Sequence, residues 1–206
     1  MSDAPVDRQP PITETLIDVD DSVLIVIDIQ DYFLRKYDAA ISRAVVERVV
    51  WLLHVARLLE VPVVAMAEDI VANGPLTQPI QNALPPGGTV HDKDFFGAAG
   101  NPPILAAIEA TGQRTAILAG METDVCVAQT ALGLIGEGYR VVVLQDAVAT
   151  THGDQEVGLA RMREAGAAIL TVKSLYYEWL RSVSRVRALK NVLPELETLR
   201  PDDLLL

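Results

Sequence analysis

The sequence predicts an α/β fold: a three-layer α/β/α domain around a six-stranded parallel sheet, strand order 3-2-1-4-5-6, a Rossmann-like topology. Three observations carry that expectation. Val23-Leu24-Ile25-Val26-Ile27 and Thr115-Ala116-Ile117-Leu118-Ala119 are unbroken apolar runs rich in β-branched residues, as strands buried on both faces require. Between such runs the apolar residues recur at helical spacing, so strands and helices alternate. No internal repeat, low-complexity tract or second core interrupts the pattern, and 1–206 reads as one domain.

In chain order, 1–20 reads as a loose arm, polar and proline-bearing at its start, unlike a signal peptide or a membrane anchor. The Val23 strand follows. Ile41 to Glu60 places Val45, Val49, Leu52, Leu53, Ala56 and Leu59 on one helical face. Val61 to Ala67 is the second strand, entered at Pro62, where a missing N–H is tolerated. Asn73-Gly74-Pro75 and Pro85-Pro86-Gly87-Gly88 punctuate a loop region before a short third strand, Thr89 to His91. A helix from Pro102 to Ala110 ends before Gly112, and the Thr115 strand closes on Gly120. A strand from Tyr139 to Leu144, a helix from Gln155 to Ala165 capped by Gly166, and a strand from Ala168 to Val172 complete the alternation. Residues 174–206 form a helical tail whose Tyr176, Tyr177, Trp179 and Leu180 suggest a self-association surface.

Composition excludes several classes. A formal net charge of −11 disfavours nucleic acid and anionic membranes as partners. No apolar run reaches the roughly 18 residues of a membrane helix. A single cysteine permits no intrachain disulfide and fits a reducing, cytoplasmic setting. With 50% hydrophobic residues the chain has apolar surface to spare for a homo-oligomer interface.

In a sheet of this order, ligands bind beyond the carboxyl ends of the strands, at the switch point between strands 1 and 4. Three reactive side chains fall just past strand ends: Asp28 after the first, Lys93 after the third and Cys126 after the fourth. Cys126 lies in the first turn of a helix running through Val127, Ala131 and Leu134, with Thr123 or Asp124 as N-cap. The helix dipole there favours a thiolate, so the thiol pKa is expected below the usual ~8.5. An acid, an amine and a thiol at one rim suit a nucleophile with its activators, Asp28 as general base and Lys93 stabilising the thiolate. The structural alternatives are a buried hydrophobic cysteine, a capping aspartate and a solvated lysine.

These residues resemble the isochorismatase-like cysteine hydrolase superfamily. Asp28-Ile29-Gln30-Asp31-Tyr32-Phe33 is similar to its D-x-Q-x-x-F opening, and Lys93 ahead of Phe95-Phe96 to its lysine segment. Gly120-Met121-Glu122-Thr123-Asp124-Val125-Cys126-Val127 matches its G-x-x-T-D-x-C-V nucleophile turn, the most specific part. The resemblance, spanning roughly Val23 to Val172, implies a catalytic triad of Asp28, Lys93 and Cys126. It also implies a cis peptide between Met121 and Glu122, an oxyanion hole from the Glu122 and Cys126 N–H groups, and hydrolysis of a small amide or carbamoyl compound through a thioester. Isochorismatases proper cleave a vinyl ether and generally lack this cysteine.

Nicotinamidases of the superfamily carry an aspartate with clustered histidines after strand 2 for a divalent metal. Here Glu68 to Gly74 holds no histidine, and His54, His91 and His152 are scattered. The expectation is therefore no cofactor and no metal, in a metal-independent branch that is not nicotinamidase. Phe33, Phe95 and Phe96 are candidates for lining a small, flat substrate pocket, although each equally suits a core. Glu122, beside the nucleophile, has no assigned chemistry and can simply face solvent.

Other classes fit less well. A dinucleotide-binding enzyme needs glycines after strand 1, where Asp28-Ile29-Gln30-Asp31 stands, and an aspartyl phosphatase needs a second aspartate where Gln30 lies. A thiol redox protein lacks a resolving cysteine within the chain. The remaining alternative is an oligomeric ligand-binding protein that keeps the fold without amide turnover.

Overall fold

Strands β1 (Ser22–Ile27) and β4 (Thr115–Met121) lie side by side at the centre of a parallel sheet. The computed structural model describes residues 15–206 except 152 and 193. Outward from β1 come β2 (Val63–Glu68) and β3 (Val90–Lys93); outward from β4 come β5 (Arg140–Ala149) and β6 (Ala168–Leu170). The order is therefore β3-β2-β1-β4-β5-β6, all neighbours parallel, as the alternating pattern predicts.

Alternate residues of β1 supply opposite faces. Leu24 and Val26 pack under α2 (Ala39–Leu58) and α8 (Val172–Leu180), through Val49, Leu52 and Leu175. Val23, Ile25 and Ile27 pack under α5 (Pro102–Glu109), α6 (Ala128–Gly136) and α7 (Gln155–Glu164), through Ile108, Ala131 and Met162. Every β1 residue is fully buried, which is why the strand reads as continuous rather than alternating apolar sequence. Burying each such valine, leucine or isoleucine contributes about 1.5–3 kcal/mol.

The tail differs from its reading. Tyr176, Trp179 and Leu180 do not form a self-association surface; all three are buried in the chain's own core, and only Tyr177 of that group is exposed. Trp179 Nε1 donates to Ser22 Oγ at 3.0 Å, tying α8 to the start of β1. Helices α9 (Val183–Val192) and α10 (Glu195–Thr198) follow, and Trp51 Nε1 of α2 donates to the Leu196 carbonyl at 3.1 Å. At the other end, the described part of the expected loose arm is packed: Ile17 is buried and its N–H donates to Glu178 Oε2 at 2.7 Å.

Strand boundaries shift in a way that matters for the site. Strand β2 runs one residue past its expected end, to Glu68, and β3 runs two past His91, to Lys93. Glu68 and Lys93 are thereby directly opposite each other in the β2–β3 register. Three short helices also form: α1 (Asp31–Leu34) after the first strand, and α3 (Ile70–Asn73) and α4 (Gln78–Ala83) within the region read as loop. Among the described residues, no helix is long and apolar enough to cross a membrane.

Candidate active site

The carboxyl ends of β1, β2, β3 and β4 bring four side chains together. Asp28 follows β1 directly and is fully buried, with a left-handed backbone (φ 51°) that aspartate tolerates better than most residues. Lys93 ends β3, Glu68 ends β2, and Cys126 sits on the turn after β4. Lys93 Nζ lies 2.9 Å from Asp28 Oδ2, 3.2 Å from Glu68 Oε2 and 3.4 Å from Cys126 Sγ. Cys126 Sγ in turn donates to Glu68 Oε2 at 3.3 Å.

The approach of β1 to β4 depends on Gly120. At its φ of +133° a side chain is disfavoured, and a Cβ there would stand 1.9 Å from the Ile27 carbonyl oxygen. That contact brings the chain before Cys126 against the residue before Asp28. The Met121–Glu122 peptide is cis. A single wide π-helical turn, Thr123–Val127, then precedes α6, with the Val125 and Val127 N–H groups bonded to the Glu122 carbonyl at 3.1 Å each. Cys126 is therefore on a wide turn and not in the first turn of a regular helix. Neither Thr123 nor Asp124 caps it: Thr123 Oγ1 donates to Gln155 Oε1, and Asp124 Oδ1 accepts from Thr150.

Electrostatics reverse the expected direction of the thiol. Burial, then the Asp28 and Glu68 carboxylates, push Cys126 well above its ordinary value, and Lys93 offsets them only in part. With one ammonium facing two carboxylates, an added thiolate would leave an excess of negative charge, so the resting sulfur keeps its proton. Burial also raises Asp28 from 3.8 to about 7 against the pull of Lys93. Burial alone would lower Lys93, but Asp28, Cys126 and Glu68 outweigh it, and its pKa is raised. Besides its ion pair with Lys93, Asp28 also faces the Cys126 thiol, and that contact lowers its pKa in turn.

Sequence reasoning missed Glu68 and understated Gln30. The buried Gln30 side chain donates to the Glu68 and Gly74 carbonyls at 2.9 and 2.6 Å and accepts the Glu68 N–H at 2.8 Å. It clamps the end of β2 and so aims Glu68 at the sulfur. Gln30→Ala is expected to strand these backbone groups and lower stability by about 2–4 kcal/mol, measured by urea denaturation. Glu122 does not simply face solvent: Tyr37 Oη donates to its Oε1 at 3.2 Å, and Lys36 Nζ lies 3.9 Å away. Burial and the Glu122 charge push the Tyr37 phenol upward, which keeps it a donor.

The aromatic candidates divide. Phe95 and Phe96 are 61% and 47% exposed, and the Phe96 ring centre is 5.9 Å from Lys93 Nζ. Phe95 borders a cleft of about 430 Å³ that Lys93 shares with Asp69, Asp92 and Asn101. Phe33 belongs to the core under α2, with Lys36 Nζ 4.5 Å above its ring. A second cleft of about 450 Å³, lined by Tyr37, Ala149 and Thr150, borders the side where Glu122 is held. A cleft of about 510 Å³ between α2 and the C-terminal segment, at Arg43, Glu47 and Arg200, includes none of the four site residues.

Metal donors cluster at one place among the described residues, Asp28, Glu68 and Cys126, with ligand atoms within 4.8 Å of one another. Lys93 Nζ already contacts all three, so an internal ammonium stands where a cation would sit. No histidine joins that cluster; His54 lies on α2, where burial lowers its pKa, and His91 lies on β3. His152 is outside the described residues.

A family model described as the isochorismatase domain matches residues 22–174, well over half of the chain. The chain belongs to the isochorismatase family. It is 33% identical over 159 residues to isochorismatase domain-containing protein 2 of Bos taurus, covering 76% of this chain and 74% of that one. Among solved structures it resembles YcaC of Escherichia coli, described as an octameric hydrolase of unknown specificity, with TM-score 0.79 and 26% identity, covering 91% and 95% of the two chains. YcaC of Pseudomonas aeruginosa, solved with hexane-2,5-diol and covalent acrylamide, matches at TM-score 0.77 and 26% identity, covering 91% and 96%. All four site residues lie inside the segment that carries the family match.

Proposed function

We propose that this isochorismatase-family protein is a cysteine-dependent hydrolase that cleaves the C–N bond of a small amide or carbamoyl compound through a thioester. The observation that carries this reading is the convergence of Cys126 Sγ, the Lys93 ammonium and buried carboxylate at the switch point of the sheet. Cys126 attacks the carbonyl carbon as its proton passes to a carboxylate beside Lys93, a place the superfamily resemblance gives to Asp28. The Glu122 and Cys126 N–H groups receive the developing oxyanion. Ammonia or an amine leaves, and water then hydrolyses the thioester. Phe95 and Phe96 border the substrate's approach, and Lys93 supplies the positive charge, so no metal enters the scheme.

The covalent acrylamide on a relative supports a reactive centre in this branch. The octameric relative, together with exposed Phe95, Phe96 and Val71, supports a homo-oligomer, which sedimentation of the native protein tests. A cytoplasmic setting is the reading the single cysteine supports. A peroxide sensor is the weaker reading, because Cys126 is buried and held protonated rather than exposed as a thiolate.

The test is ammonia or amine release from a panel of acetamide, N-carbamoylglycine, nicotinamide and related compounds, before and after dialysis against EDTA. Turnover that survives EDTA is the expected result. Inertness toward every member, with rapid oxidation of Cys126 by peroxide, would overturn the hydrolase reading.

A further inference from the structure

Asp28 and Lys93 have side chains only 1% and 0% exposed. Each can hold charge against the sulfur, but neither opens to solvent. Glu68 differs: its side chain is 19% exposed, and the Cys126 S–H aims at its Oε2, 3.3 Å away. It is held there from two directions. Its backbone is clamped by Gln30, and its carboxylate meets Lys93 at 3.2 Å across the β2–β3 register. Glu68 is thus the carboxylate of the cluster that touches both the nucleophile and the solvent side, where a substrate must arrive.

We propose that Glu68 is a fourth catalytic residue, the carrier that takes the proton from Cys126 and delivers it to the leaving nitrogen. This rests on the hydrolase reading and refines it, since Asp28 then stays paired with Lys93. In the first step sulfur bonds to the carbonyl carbon, the C=O π pair moves to oxygen, and the S–H proton passes to Glu68 Oε2. The oxyanion collapses, the C–N bond breaks, and nitrogen takes the proton from Glu68 as it leaves. In the second step Glu68 removes a proton from water as its oxygen attacks the thioester, then returns that proton to sulfur as the C–S bond breaks. Every proton taken up is given back, and no other reactant is needed.

The division of labour predicts a split that a merely structural role cannot give. A nitrogen leaving group needs a proton, whereas nitrophenolate leaves without one, and iodoacetamide needs only thiolate. Glu68→Gln removes the base and a nearby negative charge while keeping the side chain's size. The variant is expected to release nitroaniline from p-nitroacetanilide about 100-fold more slowly, yet its first-turnover burst of nitrophenolate from p-nitrophenyl acetate, which precedes the water step, stays within about tenfold of wild type. Its alkylation by iodoacetamide is expected to move to lower pH, because a charge that holds the thiol protonated has gone. Glu68→Asp, which keeps a carboxylate, is expected to recover part of the anilide rate, and near-ultraviolet circular dichroism checks the fold of both. Equal losses in the ester burst and in the anilide rate, or an alkylation profile that does not move, would overturn the role of Glu68. Failure of the hydrolase reading looks different: wild type itself would then release no nitrophenolate that depends on Cys126.

Discussion

Cys126→Ser is expected to lower turnover of any amide the protein hydrolyses by at least about 10⁴-fold, while the fold stays intact. The exchange removes a soft, polarisable sulfur and substitutes an oxygen whose proton is far harder to remove. Lys93 cannot compensate, since its charge already faces two carboxylates. The side chain is 4% exposed and packs with the cluster beneath α6, so the smaller serine leaves little change in packed volume. Parallel measurement of kcat/KM and the thermal midpoint separates the two effects. A variant that kept a tenth of the activity would remove the nucleophile from Cys126.

Lys93→Ala is expected to destabilise the protein by about 3–5 kcal/mol, because Asp28 and Glu68 lose the cation between them. The loss depends on pH, and its sign follows from Asp28. In the wild type, burial raises that carboxyl from 3.8 to about 7. Between those values the folded protein keeps a proton that the unfolded chain has released. This group's contribution is therefore full below 3.8 and is lost as pH rises through about 7. Without Lys93 the carboxyl rises further, so the gap between wild type and variant widens as pH climbs through neutrality. Urea denaturation at pH ~5.5 and ~8.5 measures that widening. The same variant loses the one charge that pulls the thiol down, so alkylation of Cys126 at pH ~8 is expected to slow by about tenfold or more. A pH-independent gap would mean that Asp28 does not titrate against Lys93.

The apolar runs at Val23 and Thr115 disclosed the sheet because both faces of its central strands are covered, leaving no polar residues to blur the pattern. The rim followed from topology, and Asp28, Lys93 and Cys126 do converge there. Glu68 was not legible. A glutamate carries little strand propensity, so β2 reads as ending at Ala67, and its pairing with Lys93 needs the full register. Gln30 is similar: its partners lie 38 and 44 residues away in the chain. The direction of the thiol shift was missed for a related reason. A helix N-terminus is a local feature of sequence, whereas the burial that outweighs it, and the carboxylates that add to it from β1 and β2, arise only in the folded chain. The aromatic tail misled because helical spacing fixes a face without saying what covers it, and α8 lays that face on β1.

The central claim is that catalysis passes through an acyl group on Cys126. Acid quenching during turnover of p-nitrophenyl acetate, followed by peptide mass spectrometry, tests it most directly. The account predicts an acetyl group on the peptide containing Cys126, formed within the first turnover and removed by hydroxylamine as a thioester would be. Sustained hydrolysis with that peptide unmodified at every time point, and an undiminished rate in Cys126→Ser, would contradict it.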